Sequence, residues 1–182
     1  MLIYIIIGLI VLLIIYIFIL YNSFVNSNNM VNEAFSTMDV YLKKRWNLIP
    51  NLVEIVKGYA SHEKQTLEEI VKLRENDYEN MSNNDKINSY TETYPRVEKL
   101  MALAENYPEL KASTQFQNLS ENLTKAEDEI ANSRKYYNAV VRMFNNKVEM
   151  FPNNIFAHIF GFKSKKMFEA KAEERENVSV KL

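Results

Sequence analysis

The chain opens on an unbroken apolar run and then settles into apolar positions seven residues apart. Met1 to Tyr21, MLIYIIIGLIVLLIIYIFILY, contains no charged side chain and no proline. Beyond it, Phe24, Val31, Met38, Leu52 and Tyr59 share one row, with Arg45 as its polar member. Phe35, Leu42, Ile49 and Val56 form a second row, with Asn28 ahead of them. The two rows alternate by four and three residues, which places them on one stripe of a helix. The phase holds across Pro50. That predicts either one long helix kinked at the proline or a new helix beginning there, and the unbroken phase favours the first. Leu67, Ile70 and Val71 continue the pattern, which dissolves into a polar loop from Glu75 to Asp85.

A second helical pattern runs Ile87, Tyr90, Tyr94, Val97, Met101, Ala104, with Pro95 inside it. The proline makes Arg96 to Asn106 the firm part. Tyr107-Pro108 punctuates the chain. Pro108 suits the first position of a new helix, with Glu109 in its first turn. The third pattern is the most regular: Phe116, Leu123, Ile130, Tyr137, Phe144 and Phe151, with Leu119, Ala126, Ser133 and Val140 as partner row. Glu121, Lys125, Glu127, Asp128, Arg134 and Lys135 fall off that stripe. Phe151-Pro152 ends it, because a residue before proline is pushed out of the helical region. The apolar segment Ile155 to Phe162 follows, and then a charged stretch to the C-terminus.

The apolar rows predict an all-α protein. An N-terminal transmembrane helix (residues 1–21) continues into an antiparallel four-helix bundle (22–162), followed by a charged tail (163–182). A helix rises about 1.5 Å per residue, so about 20 apolar residues match a hydrocarbon core of about 30 Å. A cleaved signal peptide fits less well, since there is no basic n-region and no small-residue cleavage site. A buried core helix rarely stays apolar on every face for this length. Each later stripe covers one face only, so the helices must pack on one another or on a second copy as a coiled coil. The polar members Arg45 and Ser133 could fix register in either arrangement. Tyr16 and Tyr21 lie toward one end of the apolar run, where headgroups favour amphipathic rings. Positive charge near the run begins only at Lys43, Lys44 and Arg45, which weakly favours a cytoplasmic C-terminal bulk.

Composition removes several chemistries. The 182 residues carry net charge −1, without the basic excess of a nucleic-acid binder. No cysteine is present, which excludes disulfides and thiolate sites. Three glycines and four prolines suit long helices rather than a turn-rich β protein. His62-Glu63 is not followed by the second histidine of H-E-x-x-H, because residue 66 is Thr. Tyr59 and Ile155 occupy the positions where a di-iron bundle would carry glutamates before His62 and His158. No G-x-S-x-G elbow and no phosphate-binding glycine loop occur. The pattern points to no metal, no cofactor and no enzyme. Lys43-Lys44-Arg45 beside Trp46 reads as a solvated helix turn with the indole packed inward. Asn51 and Asn138, polar residues in apolar stripes, are candidates for hydrogen bonds across helices. The Ile155–Phe162 segment, with three phenylalanines, could cap the bundle, dip into a membrane interface or bind a partner.

Several blocks together resemble the LemA family. Leu42-Lys43-Lys44-Arg45-Trp46-Asn47-Leu48-Ile49-Pro50-Asn51-Leu52-Val53 is similar to its L-K-R-R-x-D-L-I-P-N-L-V core, and Lys57-Gly58-Tyr59-Ala60-Ser61-His62-Glu63 to its K-G-Y-x-x-H-E segment. Glu105 to Ala112, through Tyr107-Pro108, looks like its E-x-Y-P-x-L-K-A. Ser133 to Val140, with Arg134, Tyr137 and Asn138, looks like its A-R-x-x-Y-N-x-x-V. Phe151-Pro152 and Gly161-Phe162 complete the series. Asn47 stands where the family usually has Asp, Phe144 replaces a Tyr, and Pro95 falls in a helix the family leaves uninterrupted. The resemblance implies a helical bundle on one N-terminal transmembrane helix in the bacterial cell membrane, N-terminus outside, with no established enzymatic activity. On that reading the protein is a scaffold or adaptor, touching lipid through residues 1–21 and a protein partner or further copies of itself. A membrane-remodelling or lipid-sensing protein that works through its long helices and C-terminal phenylalanines is the alternative.

Overall fold

Helix α1 (Leu2–Tyr59) takes up the first third of the chain without interruption. The computed structural model describes residues 1–60, 62, 64–72 and 77–168. After α1 come α2 (Lys64–Lys72), a 3-10 turn at Tyr78–Asn80, α3 (Asn83–Leu103), a second 3-10 turn at Ala104–Asn106, α4 (Pro108–Ala112), α5 (Thr114–Glu149) and α6 (Asn153–Phe160). Among the described residues all regular structure is helical, so the protein is all-α.

The helix passes through Pro50, as the unbroken phase predicts. The lost hydrogen bond and ring clash cost about 3 kcal/mol. Ile49, Leu52, Val53 and Val56 around the proline are buried, and each contributes about 1.5–3 kcal/mol, so burial wins. The same balance corrects the reading of Pro95. Helix α3 begins at Asn83, with Ser82 as its cap accepting from the Asp85 N–H, and runs through Pro95. Thr93, Val97 and Leu100 flank the proline in the core, and Arg96 donates a 2.6 Å hydrogen bond to the Glu92 carbonyl in the turn before it. Glu75 and Asn76 of the expected loop lie outside the described residues; from Asp77 to Asp85 the stretch holds a 3-10 turn and the start of α3, and Tyr78 within it is buried.

The rows of the stripe are buried on α1, Phe24, Val31, Met38, Arg45 and Leu52 in one and Phe35, Leu42, Ile49 and Val56 in the other, with Leu20, Ala34, Trp46 and Val53 buried beside them. Tyr59 departs, at 45% exposed. The helix ends there, one residue after Gly58, a poor helix former, and Ala60 takes the buried place instead. On α5 the rows hold from Phe116 to Phe144, while Phe151, beyond the helix end, is exposed. Pro108 opens α4 at N1 with Glu109 in the first turn, as expected.

The chain forms two units. One comprises Met1–Ser36 and Lys135–Met167. Here α1 and α5 run antiparallel: Phe35 meets Tyr137 at 5.8 Å, and further along Lys147 donates to the Ser23 carbonyl at 3.1 Å and the Ser23 hydroxyl at 3.0 Å, and to Ser27. Phe162 stacks on Phe24 at 5.1 Å, and α6 packs Phe156 and Phe160 toward Leu20 and Phe24. Gly161, at φ +78, closes α6 in the left-handed conformation that an L side chain resists. Past it the chain is pinned back onto α5. Asn145 donates to the Lys165 carbonyl at 2.9 Å and accepts from the Lys165 N–H at 2.8 Å, and the Tyr137 hydroxyl donates to the Lys166 carbonyl at 3.0 Å.

The other unit comprises Thr37–Arg134 with Phe168. Its core gathers Ile49, Leu52 and Val56 of α1, Leu67 and Ile70 of α2, Val97 and Leu100 of α3, Leu110 of α4, and Phe116, Leu119 and Leu123 of α5. Within it α3 runs parallel to α1, since Lys86 pairs with Asp39 and Thr93 with Arg45. Segment 114–134 of α5 runs antiparallel to both.

Replacing Asn145 with Ala removes both bonds to Lys165, a loss of about 1–3 kcal/mol. Trypsin should then cut after Lys163 and Lys165 markedly faster than in the unaltered protein. An unchanged cleavage rate would show that the segment is held by something else.

Candidate functional site

Arg45 sits in the row of Met38 and Leu52, so the stripe that buries those residues buries it too. It is 2% exposed, against the solvated position expected of Lys43-Lys44-Arg45. Withdrawing a guanidinium from water is costly unless each donor finds a partner. Two helices supply them. The Nε group pairs with Glu127 of α5, and an Nη1 group donates to the Thr93 hydroxyl of α3 at 2.9 Å. Thr93 turns its own hydroxyl back to the Ser89 carbonyl at 2.8 Å, leaving its lone pairs for the arginine. The guanidinium carbon lies 4.7 Å from the centre of the Tyr90 ring and 5.8 Å from that of Tyr94. These ring faces supply negative charge where Nη2 has no hydrogen-bond acceptor among the described residues. The Tyr90 hydroxyl donates to the second oxygen of Glu127, closing the constellation. Phe168 covers Tyr90 at 5.3 Å and lies under the Arg134 guanidinium at 5.6 Å.

The phenols report this environment. Burial, then the Glu127 charge and hydrogen bond, holds the Tyr90 hydroxyl far above its ordinary pKa. Burial and the Glu98 carboxylate raise Tyr94 likewise. A second polar node lies nearer the turn at Tyr78. Asp39 accepts from the Tyr78 hydroxyl at 2.6 Å and from Lys86 at 2.7 Å, with Lys86 also 4.7 Å from the Tyr78 ring centre. Trp46 packs on the same ring at 5.4 Å, so the indole points inward as predicted. Burial followed by the Asp39 hydrogen bond raises the Tyr78 pKa as well. Lys43 is exposed and pairs with Glu79, which raises its pKa; Lys44 is exposed.

The other singled-out residues scatter. Asn51 is exposed on α1 and makes no hydrogen bond to another helix among the described residues. Asn138 is half-buried. Asn145 ties separate segments together through its side-chain amide. Ser133 is buried but returns its hydroxyl to the Glu129 carbonyl at 2.8 Å, so it is satisfied within α5 and fixes no register. Tyr107 packs against the core and Pro108 is exposed at the start of α4. His62 and Pro152 are exposed, and Glu63 lies outside the described residues, as do residues 169–182 of the tail. Glu127 and Thr93 were not legible as partners. The one signal was Arg45 itself, a charge at a core position, which demands an acid on another helix.

This constellation aims its groups at one another. Its arginine and carboxylate are occupied, its tyrosines are protonated, and no group of three His, Asp or Glu side chains able to hold a metal ion occurs among the described residues. The arrangement is suited to holding three helices in one register.

Two outcomes test that role. Glu127→Ala leaves a buried charge unpaired and should lower stability by about 3 kcal/mol, the low end for buried pairs because Glu127 is 24% exposed. A double variant, Arg45→Met with Glu127→Leu, leaves no unpaired charge and should lose less than the single one in guanidinium titrations. If the double loses the sum of its two singles, the residues are not coupled. The phenols set an alkaline limit. Their folded pKa values lie above the unfolded value of about 10, so their contribution is complete below about pH 10 and is lost as pH rises beyond it. Melting followed by circular dichroism should fall between about pH 8 and about pH 11, and Tyr90→Phe should narrow that fall.

The LemA family model matches residues 34–182. Protein LemA of Metamycoplasma hominis is 26% identical over 164 residues, covering 87% of this chain and 73% of that protein. Magnetosome protein MamQ 2 of Paramagnetospirillum magneticum is 25% identical over 178 residues, and magnetosome protein MamQ of Magnetospirillum gryphiswaldense 24%. Each alignment with a magnetosome protein covers 83% of this chain and 65% of the relative, so the chain spans just under two thirds of their length. The matched region contains Arg45, Pro50, Tyr107-Pro108, Arg134, Tyr137 and Phe151-Pro152, and the chain belongs to the LemA family.

Proposed function

We propose that this protein is a non-enzymatic helical scaffold anchored in a bacterial cell membrane by the first turns of α1. The observation that carries the reading is the change of surroundings along that one helix. Every residue from Met1 to Tyr16 is exposed although nearly all are apolar, whereas from Phe24 to Val56 one apolar stripe (Phe24, Val31, Phe35, Met38, Leu42, Ile49, Leu52 and Val56) lies in protein core. Exposure of some thirty ångströms of apolar helix to water is untenable, and a hydrocarbon core of about 30 Å accepts it. The helix is long and apolar enough to make that crossing. The polar constellation around Arg45 supports a structural rather than a catalytic role for the family motif, because its charges are spent on one another.

The proposed topology puts the N-terminus outside and the bulk of the chain in the cytoplasm, following the lysines and arginine that begin at residue 43. A protein partner, or further copies of this chain, would complete the scaffold, and cross-linking in native membranes followed by pull-down is the way to find it. Topology is tested with Asn83→Cys, an exposed position in a chain without native cysteine. An impermeant maleimide should leave it unlabelled in intact cells and label it after permeabilisation. Labelling in intact cells would reverse the orientation.

A further inference from the structure

Helix α6 presents two unlike faces. Its inner side is covered: Ala157 is buried, and Phe156 and Phe160 pack toward Leu20 and Phe24. Its outer side is not. Ile155 is 51% exposed and Ile159, one turn on, 68%. Phe151, just ahead of the helix, is 79% exposed. His158 lies exposed on the same side, so this face is apolar with a polar element.

Its position along α1 decides what covers that face. The Phe156 ring lies 6.2 Å from Tyr16, and the Phe160 ring 5.1 Å from Tyr21. Asn22 is the first polar amide after the apolar run. Tyr16 stands six residues before it, about 9 Å deeper along the helix axis. Side chains on a helix also lean toward its N-terminus, which carries the Tyr16 ring deeper still. Anything that touches Tyr16 therefore sits below the polar edge of the apolar run. The contacts run Phe156 to Tyr16, Phe160 to Tyr21 and Phe162 to Phe24, so α6 follows α1 in the same direction and its first turn is the deeper end. Amphipathic helices at a membrane surface reach about 5–10 Å into the headgroup and acyl boundary, which is the depth of that first turn. Exposed Lys163, just past the end of α6, is placed for anionic headgroups.

We infer that α6 is an interfacial foot: its first turn enters the leaflet beside the emerging anchor, with Phe151, Ile155 and Ile159 turned to lipid. The inference rests on residues 2–21 crossing the membrane and goes beyond it, since a simple anchor needs no second element in the bilayer. The occupant of the outer face is lipid rather than a soluble partner, because the same helix rests through Phe156 and Phe160 on Tyr16 and Tyr21 of the apolar run. A soluble protein would have to enter the membrane to reach it.

The test uses the full chain in vesicles of phosphatidylcholine and phosphatidylglycerol. Single cysteines are placed by Ile159→Cys, Ile155→Cys and Ile10→Cys and labelled with the environment-sensitive fluorophore NBD. All three positions are about half exposed or more, so none removes a core contact. Lipids carrying a nitroxide high on the acyl chain should quench the Ile159 and Ile155 probes about twofold, and more than lipids carrying it deep in the chain. The Ile10 probe should show the opposite preference. A quenched Ile10 probe with water-like, unquenched probes on α6 would overturn the foot and leave the anchor standing. If Ile10 is unquenched as well, the anchor itself fails and the foot with it. Blue-shifted α6 probes that neither lipid quenches would mean that protein, a second copy included, covers the face, which also overturns the inference.

Discussion

A guanidinium removed from water constrains everything around it, and Arg45 imposes that constraint on three helices at once. Its Nε fixes the height of Glu127 on α5, its Nη1 the height of Thr93 on α3, and its flat face the ring of Tyr90. An apolar side chain at this position would accept many sliding registers, because methyl groups do not care which neighbour they touch. The arginine accepts one. A buried pair of this kind adds little net stability over an apolar replacement. Its effect is on which arrangement forms, since a helix displaced by one turn would leave a charge buried alone.

The Asp39 node extends the same logic to a part of the chain that apolar contacts hold weakly. The turn at Tyr78–Asn80 is short and mostly polar. Asp39 reaches it through the Tyr78 hydroxyl and reaches the first turns of α3 through Lys86. Trp46 covers the Tyr78 ring and keeps water from those bonds. Acid, phenol, amine and indole thus hold the entry to α3 against α1, seven residues before the Arg45 partner Thr93. Family motif residues Arg45 and Trp46 lie on adjacent positions of α1 and serve the two nodes separately.

Helical periodicity made most of the fold legible, because each stripe is a direct record of which face is buried. It foretold the buried positions of α1 from Phe24 to Val56 and those of α5 from Phe116 to Phe144. It failed where the helix ended: Tyr59 and Phe151 keep the seven-residue spacing but lie at or beyond a terminus, where the spacing no longer describes a face. Pro95 misled for a different reason. The local cost of proline is readable in the sequence, while the burial of Thr93, Val97 and Leu100 that outweighs it depends on helices far away in the chain. The polar nodes were half legible. A charge in a core row announces a partner, but nothing in the spacing of α5 marks Glu127, one position off its stripe, as different from Glu121 or Asp128. The asparagines show the same limit. Asn51 lies within the apolar stretch yet faces water, and Asn145 draws no notice from spacing but holds the segment after α6, since its partners are backbone atoms that carry no sequence signal.

The change along α1 from exposed apolar to buried apolar residues is completed within a few residues, between Ile19 and Phe24. Across that interval the helix needs a surface that suits both surroundings. Phenylalanine rings serve, since they are equally at ease against lipid chains and against protein, and α6 brings Phe156 and Phe160 to this place, with Phe162 just past its cap. Tyr16 and Tyr21 answer from α1 with rings whose hydroxyls can reach headgroups. Lys147 closes the other side by binding Ser23 and Ser27, the first hydroxyls after the apolar run. If residues 2–21 cross a membrane as proposed, a polar linker would have ended the anchor at Tyr21. A continuous helix with an aromatic collar instead keeps hydrogen-bonded backbone through the boundary, where an open turn would leave amides without water or partner.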